Sequence, residues 1–486
     1  MITIENVSFN YGETKEQCLH DISLHIKRGE CVLLCGESGC GKTTLTRLIN
    51  GLIPHFYEGE FSGKVTVAGH DIAETPPDAL AHIVGSVFQN PRSQFFNLDT
   101  TGEIAFGCEN LGLPTAQIRE RVQSAARELG IESLLDRDIF ALSGGEKQKI
   151  AVASAYALSP DIFVFDEPSS NLDHSACLEL AMLMKRLKAQ GKTLIIAEHR
   201  LYYLAELFDR VVYCKDGQIQ NDWPRSEFLR FSDIERETLG LRASFLDGLS
   251  PQNVLPPRSS SLRIEGMTAH YKRGKEILQN VRIDAAPGEI IGIVGKNGQG
   301  KSTFARALCG LHTKGGGNVM LGGKPMKPKA RAGPCYLVMQ ESGYQLFTDS
   351  VENELLLSKS KKDRSSDEKV NAILTSLHLT ALRSRHPMSL SGGEKQRTAI
   401  GTAMANDAQV LIFDEPTSGL DFANMCRVVE VLKQLAESGK IIFVITHDFE
   451  LLSRACTRAV LLESGRITDD SPLYAETIKR IKEYFS

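Results

Sequence analysis

The sequence predicts an α/β protein of two tandem domains, each with a mixed-sheet core and a helical subdomain. Three observations lead to this prediction: an internal repeat, short apolar runs that alternate with helical patterns, and a glycine-rich loop in each half. The repeat is clearest in the heptapeptide LSGGEKQ, which occupies residues 142–148 and returns at 390–396. A duplication of this kind fixes how many domains the chain is expected to contain.

Further segments recur in the same order in both halves. IFVFDEPSSNLD returns as VLIFDEPTSGLD, and LIIAEH returns as IFVITH. Asp166 lies 33 residues before His199, and Asp414 lies 33 residues before His447. The conserved order and spacing within one chain indicate a duplicated domain rather than a solenoid.

The predicted domains are residues 1–248 and 262–486, joined by a linker at 249–261. The linker sequence LSPQNVLPPRSSS is rich in proline, serine and asparagine, which favours an exposed connection. The preceding segment SEFLRFSDIERETLGLR is predicted to be a helix that closes the first domain.

Within each half, short apolar runs such as GECVLLCG, DIFVFDEP and KTLIIAEH predict buried strands. A helix-rich insertion precedes each heptapeptide. In the first half, one face of its predicted helix carries Ile118, Val122, Ala125, Ala126 and Leu129. Gly130 is expected to end this helix. The second half has Val370, Ile373, Leu374 and Leu377 on the corresponding face, after a predicted capping box of Ser365 and Glu368.

Composition narrows the class of protein. Of the 486 residues, 42% are apolar and 24% are charged, so each half can bury a proper core. The net charge of −4 does not indicate nucleic-acid binding. No apolar run approaches the roughly 18 residues of a membrane helix, and no secretory signal is visible, so a cytosolic chain is expected.

Eleven cysteines without CxxC pairs predict reduced core thiols, because Cys31 and Cys35 on a strand are too far apart to bond.

Both glycine-rich loops fit G-x-x-x-x-G-K-[ST] and stand between a predicted strand and a predicted helix, which predicts two P-loop NTPase domains. Their backbone N–H groups converge on phosphate oxygens, and the lysine reaches the β- and γ-phosphates. The predicted ATP-binding residues are Gly36, Glu37, Ser38, Gly39, Cys40, Gly41, Lys42, Thr43 and Thr44 in the first half, and Gly295, Lys296, Asn297, Gly298, Gln299, Gly300, Lys301, Ser302 and Thr303 in the second.

Acidic residues follow a buried strand in each half. Asp166 and Asp414 are predicted to hold Mg²⁺, as the acid after such a strand does in P-loop enzymes. The adjacent Glu167 and Glu415 are predicted to orient and polarise the attacking water. The alternative is a charged strand end that faces solvent.

Gln89 and Gln340 are predicted to approach the metal ion and the water through their amide oxygens. The full set of predicted metal ligands is Thr43, Gln89, Asp166, Ser302, Gln340 and Asp414. The hydroxyl and carbonyl oxygens in this set are ligands that Mg²⁺ prefers.

Two further pairs recur at matching positions. His199 and His447 are predicted to contact the γ-phosphate, since the repeated interval makes a purely structural histidine the weaker alternative. Tyr11 and Tyr271 lie 31 and 30 residues before the loop lysines and are predicted to stack on adenine. The alternative for both tyrosines is a plain surface aromatic.

The heptapeptide opens a predicted helix in each half. Ser143 with Glu146, and Ser391 with Glu394, fit the S-x-x-E capping box, so a purely structural role is one reading. A cap does not require two glycines, however, and Ser-Gly-Gly at a helix start is also an anion site. The predicted additional ATP-binding residues are Ser143, Gly144, Gly145, Ser391, Gly392 and Gly393.

The P-loop, the glutamine, the LSGGEKQ signature, DEP and the final histidine, in this order, resemble the ATPase domain of ATP-binding cassette (ABC) proteins. The resemblance covers nearly the whole chain. It implies that the domains pair head to tail, with ATP between the P-loop of one half and the signature of the other. One site would use Lys42, Thr43, Gln89, Asp166, Glu167 and His199 with Ser391, Gly392 and Gly393. The other would use Lys301, Ser302, Gln340, Asp414, Glu415 and His447 with Ser143, Gly144 and Gly145.

The same resemblance implies that Asp173 and Asp421, in SNLD and SGLD, lie across the interface of the paired halves. Both predicted sites retain their glutamate and histidine, so neither half is expected to be inactive.

A finer resemblance concerns the segment VFQNPRSQFF followed by TGEIAFGCENLGLP. It is similar to the ATPase subunits of energy-coupling factor (ECF) importers of vitamins and metal ions. In that family the glutamine matched by Gln94 marks a helix that lines the groove for the membrane partner. The second half keeps Gln345 but lacks the Asn-Pro, which weakens the groove assignment there.

The resemblance implies an ATPase subunit, with Mg²⁺ and ATP, that works peripherally on the cytoplasmic face of the cell membrane. Its implied partners are an integral scaffold subunit and a small solute-binding membrane subunit. Two alternatives are the ATPase of another importer class, such as a sugar importer, and a ribosome-binding translation factor of the ABC-F kind. The short Pro/Ser-rich linker and the acidic charge disfavour the ribosome-binding alternative.

Overall fold

The computed structural model describes residues 1–12, 18–251, 259–271, 276–357 and 366–484. The chain forms two compact units, Met1–Phe245 and Leu246–Ser486. The domain and linker boundaries expected from the sequence remain predictions, and residues 252–258 of the expected linker lie outside the described residues.

The first unit is built from ten strands and nine α-helices within its described residues, besides four short 3-10 helices. The strands are β1 Ile2–Tyr11, β2 Leu19–Ile26, β3 Cys31–Cys35, β4 Gly59–Val67, β5 His70–Asp71, β6 Val84–Val87, β7 Ile162–Asp166, β8 Thr193–Ala197, β9 Arg210–Lys215 and β10 Gln218–Pro224. The helices are α1 Lys42–Ile49, α2 Leu52–His55, α3 Pro77–Leu80, α4 Thr100–Asn110, α5 Thr115–Leu129, α6 Gly144–Ala157, α7 His174–Ala189, α8 Arg225–Phe228 and α9 Asp233–Thr238.

Two sheets form the core of the first unit. The larger has the order β10-β9-β3-β8-β7-β6 and is parallel except for the antiparallel pair β9–β10. The smaller is antiparallel, with the order β2-β1-β4-β5. Strands β3 and β8 are buried along their whole length, as their continuous apolar runs predict. The predicted mixed-sheet α/β fold is therefore confirmed.

The second unit repeats this architecture. Its strands are β11 Leu262–His270, β12 Glu276–Ala285, β13 Ile290–Val294, β14 Asn318–Leu321, β15 Lys324–Pro325, β16 Cys335–Val338, β17 Val410–Asp414, β18 Ile441–Ile445, β19 Arg458–Glu463 and β20 Arg466–Pro472. Its helices are α10 Lys301–Leu308, α11 Val351–Leu357, α12 Ser366–Ser376, α13 Gly392–Ala405, α14 Phe422–Glu437, α15 Phe449–Ala455 and α16 Ala475–Glu483. The sheet orders are β20-β19-β13-β18-β17-β16 and β12-β11-β14-β15, which match those of the first unit.

The helical insertion follows the predicted pattern. In α5 the buried residues are Val122, Ala125, Ala126 and Leu129, while Ile118 is partly buried. Gly130 ends this helix in the left-handed conformation, with φ of 68°. In the second unit Val370, Ile373, Leu374 and Leu377 are all buried. Ser365 of the predicted capping box lies outside the described residues.

The single helix predicted for SEFLRFSDIERETLGLR is wrong. The structure has two short helices there, α8 and α9, separated by an extended Ser232. Ser232 forms a capping box with Glu235, so its side chain begins a second helix instead of continuing the first.

None of the eleven cysteines, all of which lie among the described residues, forms a disulfide bond, and Cys31 and Cys35 are buried at the two ends of β3. Among the described residues, no helix is both long and apolar enough to cross a membrane.

Candidate active sites

The two phosphate-binding loops have the same backbone shape. Each follows a buried strand, β3 or β13, and leads into a helix, α1 or α10. At Gly36, with φ of 143°, a Cβ atom would lie 2.1 Å from the carbonyl oxygen of Cys214. At Gly295, with φ of 150°, it would lie 2.2 Å from the carbonyl oxygen of Leu462. Only glycine fits at these two positions. All the predicted phosphate-loop residues lie in the two loops or in the first turn of the helix that follows.

The lysine of each loop is buried and folds back over its own loop. Lys42 Nζ donates hydrogen bonds to the carbonyl oxygens of Gly36 and Glu37, both at 2.9 Å. Lys301 makes the corresponding two bonds at 2.6 and 2.9 Å. Both ammonium groups are therefore held inside the loops that the sequence predicts to bind phosphate.

A hydroxyl and a carboxylate meet beside each loop. Thr43 Oγ1 donates to Asp166 Oδ1 at 3.0 Å, and Ser302 makes a side-chain hydrogen bond with Asp414. Burial, followed by the charge of Glu167, raises the pKa of Asp166 to about 6. Burial also raises the pKa of Asp414. Each unit thus places a partly desolvated carboxyl group next to a hydroxyl group. A bound positive charge would favour the ionised form of that carboxyl group.

These oxygen donors fit the Mg²⁺ that the sequence implies. Mg²⁺ prefers hydroxyl and carboxylate oxygens, and in nucleotide sites it takes few protein ligands because phosphates supply others. The described residues contain no cluster of three or more His, Cys, Asp or Glu side chains suited to a metal ion. The chain therefore offers the partial ligand set of a metal–nucleotide site.

The predicted catalytic glutamates have a strained backbone. Glu167 and Glu415 have φ of 45° and 51°, a region that non-glycine residues rarely occupy. His199 Nε2 lies 3.3 Å from Glu167 Oε1. His447 Nε2 lies 3.5 Å from Glu415 Oε1. Strain at the same residue in both units is typical of a functional site, and it brings each glutamate into contact with its histidine.

The first glutamine joins this cluster. Gln89 Nε2 donates to Glu167 Oε2 at 2.7 Å, so the contact uses the amide nitrogen and leaves the predicted role of the amide oxygen a prediction. Gln340 is exposed at the corresponding place, two residues after the end of β16. In the second unit, His447 Nε2 also lies 3.1 Å from Oδ1 of the loop residue Asn297.

The two predicted adenine platforms differ. The Tyr11 hydroxyl accepts a hydrogen bond from Arg47 at 2.8 Å and lies 3.3 Å from Thr44 Oγ1. Its ring makes an edge contact with Phe9, with centroids 4.8 Å apart. Tyr271 is 47% exposed. The first ring is therefore held in place by its own unit, and stacking on adenine remains a prediction for both.

The signature residues begin helices, as predicted. Ser143 Oγ accepts from the Glu146 amide at 3.3 Å, and the Glu146 carboxylate accepts from the Ser143 amide at 2.8 Å. Ser391 and Glu394 form the same capping box, at 3.4 and 2.7 Å. Gly144 and Gly145, like Gly392 and Gly393, form the first turn of the helix. Their contact with ATP remains a prediction.

Asp173 and Asp421 have a role within their own units that was not predicted. Asp173 Oδ1 accepts from the Ala176 amide at 2.9 Å and begins α7. Asp421 Oδ1 accepts from the Asn424 amide at 2.7 Å and begins α14. Both carboxylates are buried N-caps, which stabilise a helix start.

A buried acid beside the first histidine was also missed from the sequence. Glu198 is 2% exposed and accepts hydrogen bonds at 2.7 Å from both the Tyr203 hydroxyl and the His199 amide. It therefore fixes the backbone that carries His199. The available signal was a charged residue directly after the buried strand β8, where the second unit has Thr446.

The first unit also contains a cavity of about 650 Å³ beside this cluster. Thr43, Gln89 and Asp166 form part of its wall. Phe56 and Phe96, both more than two-thirds exposed, form another part. The cavity thus connects the predicted metal and catalytic side chains with an exposed aromatic surface.

Known proteins share these features. The family described as "ABC transporter" matches residues 19–170 and 278–418. A protein of Treponema denticola, provisionally named an ABC transporter ATP-binding protein, is 48% identical over 477 residues, which cover 97% of each chain. The Bacillus subtilis protein YkoD, provisionally named an HMP/thiamine import ATP-binding protein, is 32% identical over 504 residues, which cover 97% of this chain and 92% of that protein.

Among solved structures, one of ribosome-bound archaeal Pelota and ABCE1 matches 99% of this chain and 80% of that chain, with a TM-score of 0.72. Its identity of 23% means that the likeness concerns the fold alone. The repeated family match and the full-length relatives carry the assignment. The chain belongs to the ABC transporter family, as an ATPase with two ABC ATPase domains in one polypeptide.

Proposed function

We propose that this chain is the ATP-hydrolysing subunit of an ECF-type importer, on the cytoplasmic face of the cell membrane. It drives the uptake of a vitamin, a vitamin precursor or a metal ion through separate membrane subunits. The likeness to YkoD, whose name refers to HMP/thiamine import, supports a vitamin or precursor. The observation that carries the proposal is the cavity whose wall combines exposed aromatics with Thr43, Gln89 and Asp166.

The chemistry follows from the contacts in each unit. The P-loop amides and Lys42 bind the phosphates, while Thr43 and Asp166 would hold Mg²⁺, which neutralises phosphate charge when bound. Glu167 accepts the proton of the attacking water. His199, 3.3 Å from Glu167, orients that carboxylate and contacts the γ-phosphate. The second unit uses the corresponding residues.

We also propose that each ATP is bound by the P-loop of one half and the signature of the other, as the family resemblance implies. Lys42 would then share a nucleotide with Ser391, and Lys301 with Ser143. The capping boxes support this proposal, because they leave a helix start with its positive dipole end and two glycines next to an exposed serine.

The shared sites are tested by trapping ATP in a Glu167→Gln, Glu415→Gln background, in which bound ATP is not hydrolysed. Adding Lys42→Ala with Ser391→Arg damages one shared site, so up to one ATP per chain should remain trapped. Adding Lys42→Ala with Ser143→Arg damages both sites, so trapping should fall towards zero. Filter retention of radiolabelled ATP measures both. Greater trapping by the second combination would show that each half uses its own signature.

The importer role is tested by affinity purification of the tagged chain from detergent-solubilised membranes, followed by mass spectrometry. We expect an integral scaffold subunit and a small membrane subunit that binds solute. In the paired variant Phe96→Asp with Phe56→Asp, charges replace the exposed aromatic wall of the cavity. This variant should no longer recover the scaffold subunit or the solute-binding subunit. Recovery of ribosomal proteins, or of the membrane domains of another importer class, would overturn the ECF assignment.

A further inference from the structure

A glutamine side chain covers the edge of the large sheet in each unit. Gln94 Oε1 accepts from the Phe88 amide at 3.3 Å, and its Nε2 donates to the Ser86 carbonyl at 3.1 Å. Ser86 lies in β6, which is the edge strand of that sheet, and Phe88 directly follows this strand. The primary amide of Gln94 thus bonds the backbone of the edge strand as a peptide group of an adjacent strand would.

The second unit repeats this arrangement at equivalent positions. Gln345 Oε1 accepts from the Met339 amide at 3.0 Å, and its Nε2 donates to the Leu337 carbonyl at 2.9 Å. Met339 directly follows the edge strand β16. Gln345 is 251 residues beyond Gln94, and Met339 and Leu337 are offset from Phe88 and Ser86 by the same number. Gln345 Nε2 also donates to the Tyr336 hydroxyl at 3.0 Å, a bond without a counterpart in the first unit, where Gly85 stands at that position. The contact is therefore a property of the repeated fold and not of one half.

A buried carboxylate holds the other end of the same loop. Glu103, on α4, is 3% exposed, and its Oε2 accepts from the amides of Phe96 and Asn97 at 2.9 and 2.8 Å. In the second unit, Glu354, on α11, accepts from two consecutive amides in the same way. A carboxylate that accepts two backbone N–H groups makes strong, charge-assisted bonds.

The loop between these two points carries the glutamine of the catalytic cluster. Gln89 follows Phe88 directly, and its side chain reaches Glu167 at 2.7 Å. At the other end, Phe96 is exposed at the cavity wall and stacks on Phe106 of α4, with ring centroids 5.0 Å apart. A single short segment therefore joins an exposed aromatic surface to the catalytic glutamate.

We propose that Gln94 with Glu103, and Gln345 with Glu354, are positioning residues that clamp this loop between the sheet edge and the helical subdomain. In this proposal the two pairs do not contact the nucleotide. Each pair fixes the position of one glutamine, Gln89 or Gln340. This inference rests on the proposed role of those two glutamines in hydrolysis. The expectation that Gln94 marks a helix lining the groove for a membrane partner stays a prediction; the amide itself bonds backbone groups of its own unit.

The sheet-edge contact is tested by Gln94→Met, which keeps the length of the side chain and removes both bonds. Hydrogen exchange at the Phe88 amide should rise by at least about threefold, while the Met339 amide of the unchanged unit serves as the internal reference. Gln117→Met, on the exposed face of α5, is the matched control. Unchanged exchange at Phe88 would overturn the clamp.

The effect on hydrolysis is tested with Gln94→Met and Gln345→Met together, so that no intact site remains. We expect kcat to fall by about 10- to 100-fold, with the KM for ATP within about threefold of wild type, because the P-loops are untouched. Faster exchange with unchanged kcat would overturn the positioning role. A rise in KM without a fall in kcat would do the same.

The carboxylate end has its own test, which also covers a failure of the glutamine variants to fold. Glu103→Ala with Glu354→Ala should lower kcat similarly, because two amides lose their acceptor in each unit. Glu103→Gln with Glu354→Gln keeps an acceptor oxygen and should restore most of the activity. Equal losses in the alanine and glutamine variants would overturn the clamp. Glu109→Ala, an exposed carboxylate on α4, is the control.

One further pair of variants separates an error about the clamp from an error about the role of Gln89 and Gln340 in hydrolysis. Gln89→Ala with Gln340→Ala removes the clamped side chains but leaves the clamp. If it lowers kcat while the Gln94 and Gln345 variants do not, only the clamp is wrong. If it leaves kcat unchanged, the proposed role of the two glutamines is wrong, and the exchange experiment alone then decides whether the clamp exists.

Discussion

Replacing Asp166 by asparagine should make the nucleotide-free protein more stable at neutral pH. Burial, and after it the Glu167 charge, raise the pKa of Asp166 from 3.8 to about 6. Between these values the folded protein holds a proton that the unfolded chain releases. Folded-state stability therefore falls as pH rises through this window, and the loss is complete above pH 6. Asparagine has no charge to desolvate, so it removes the loss.

The size of the effect follows from the shift. A rise of two pKa units lowers the free energy of unfolding by about 3 kcal/mol at pH 7.5, and roughly half of this loss is already present at pH 5. For a unit of this size, 1 kcal/mol moves Tm by about 2–4 °C, so the upper bound is roughly 6–12 °C at pH 7.5. Asp414, whose pKa burial also raises, should give a change of the same sign.

The assay is scanning calorimetry of the full chain without nucleotide, at pH 5.0 and pH 7.5. Asp78→Asn, at an exposed position, is the control and should change Tm little at either pH. Mg-ATP should stabilise the wild type more than Asp166→Asn, because the variant loses a charged ligand. A lower Tm for Asp166→Asn at pH 7.5, or the same gain at both pH values, would refute the reasoning.

Three further outcomes are expected. Glu167→Gln with Glu415→Gln should keep ATP binding but lower kcat by about 10²–10⁴-fold in a steady-state assay; unchanged turnover would exclude these residues as bases. Gly36→Ala should abolish ATP binding at the first site, measured by calorimetry, because its added Cβ would lie 2.1 Å from a carbonyl oxygen. Gly39→Ala should weaken binding less, because its added Cβ meets nothing within 4 Å and only the φ of 83° strains the alanine. Asp173→Ala should destabilise the chain by about 1 kcal/mol through loss of a buried N-cap, seen as a lower Tm.

The features that follow local rules could be predicted from the sequence. The capping boxes at Ser143 and Ser391 are set by a three-residue spacing, and the P-loops by glycine spacing between a strand and a helix. The end of α5 at Gly130 follows from a single residue type. In each case the interacting groups lie within a few residues of one another.

The features that depend on tertiary contacts could not be predicted. The amide of Gln94 faces the sheet edge because β6 is the last strand in its sheet among the described residues, which depends on strand order and not on local pattern. Glu103 is buried although its type favours exposure, because the fold of the preceding loop brings the amides of Phe96 and Asn97 to its carboxylate. The break between α8 and α9 shows the reverse case, in which a local cap at Ser232 outweighed a continuous helical pattern.

The loop lysines also help each phosphate-binding loop to keep its shape. Lys42 and Lys301 each bond two carbonyl groups of their own loop, so the ammonium acts as an internal counter-ion for backbone dipoles that point towards one another. The loop can then stay open to a phosphate between turnovers without refolding around each new nucleotide. A lysine-to-alanine change removes this internal support together with the phosphate contact, so its effect on binding measures both the lost charge and a loop that has to be reshaped.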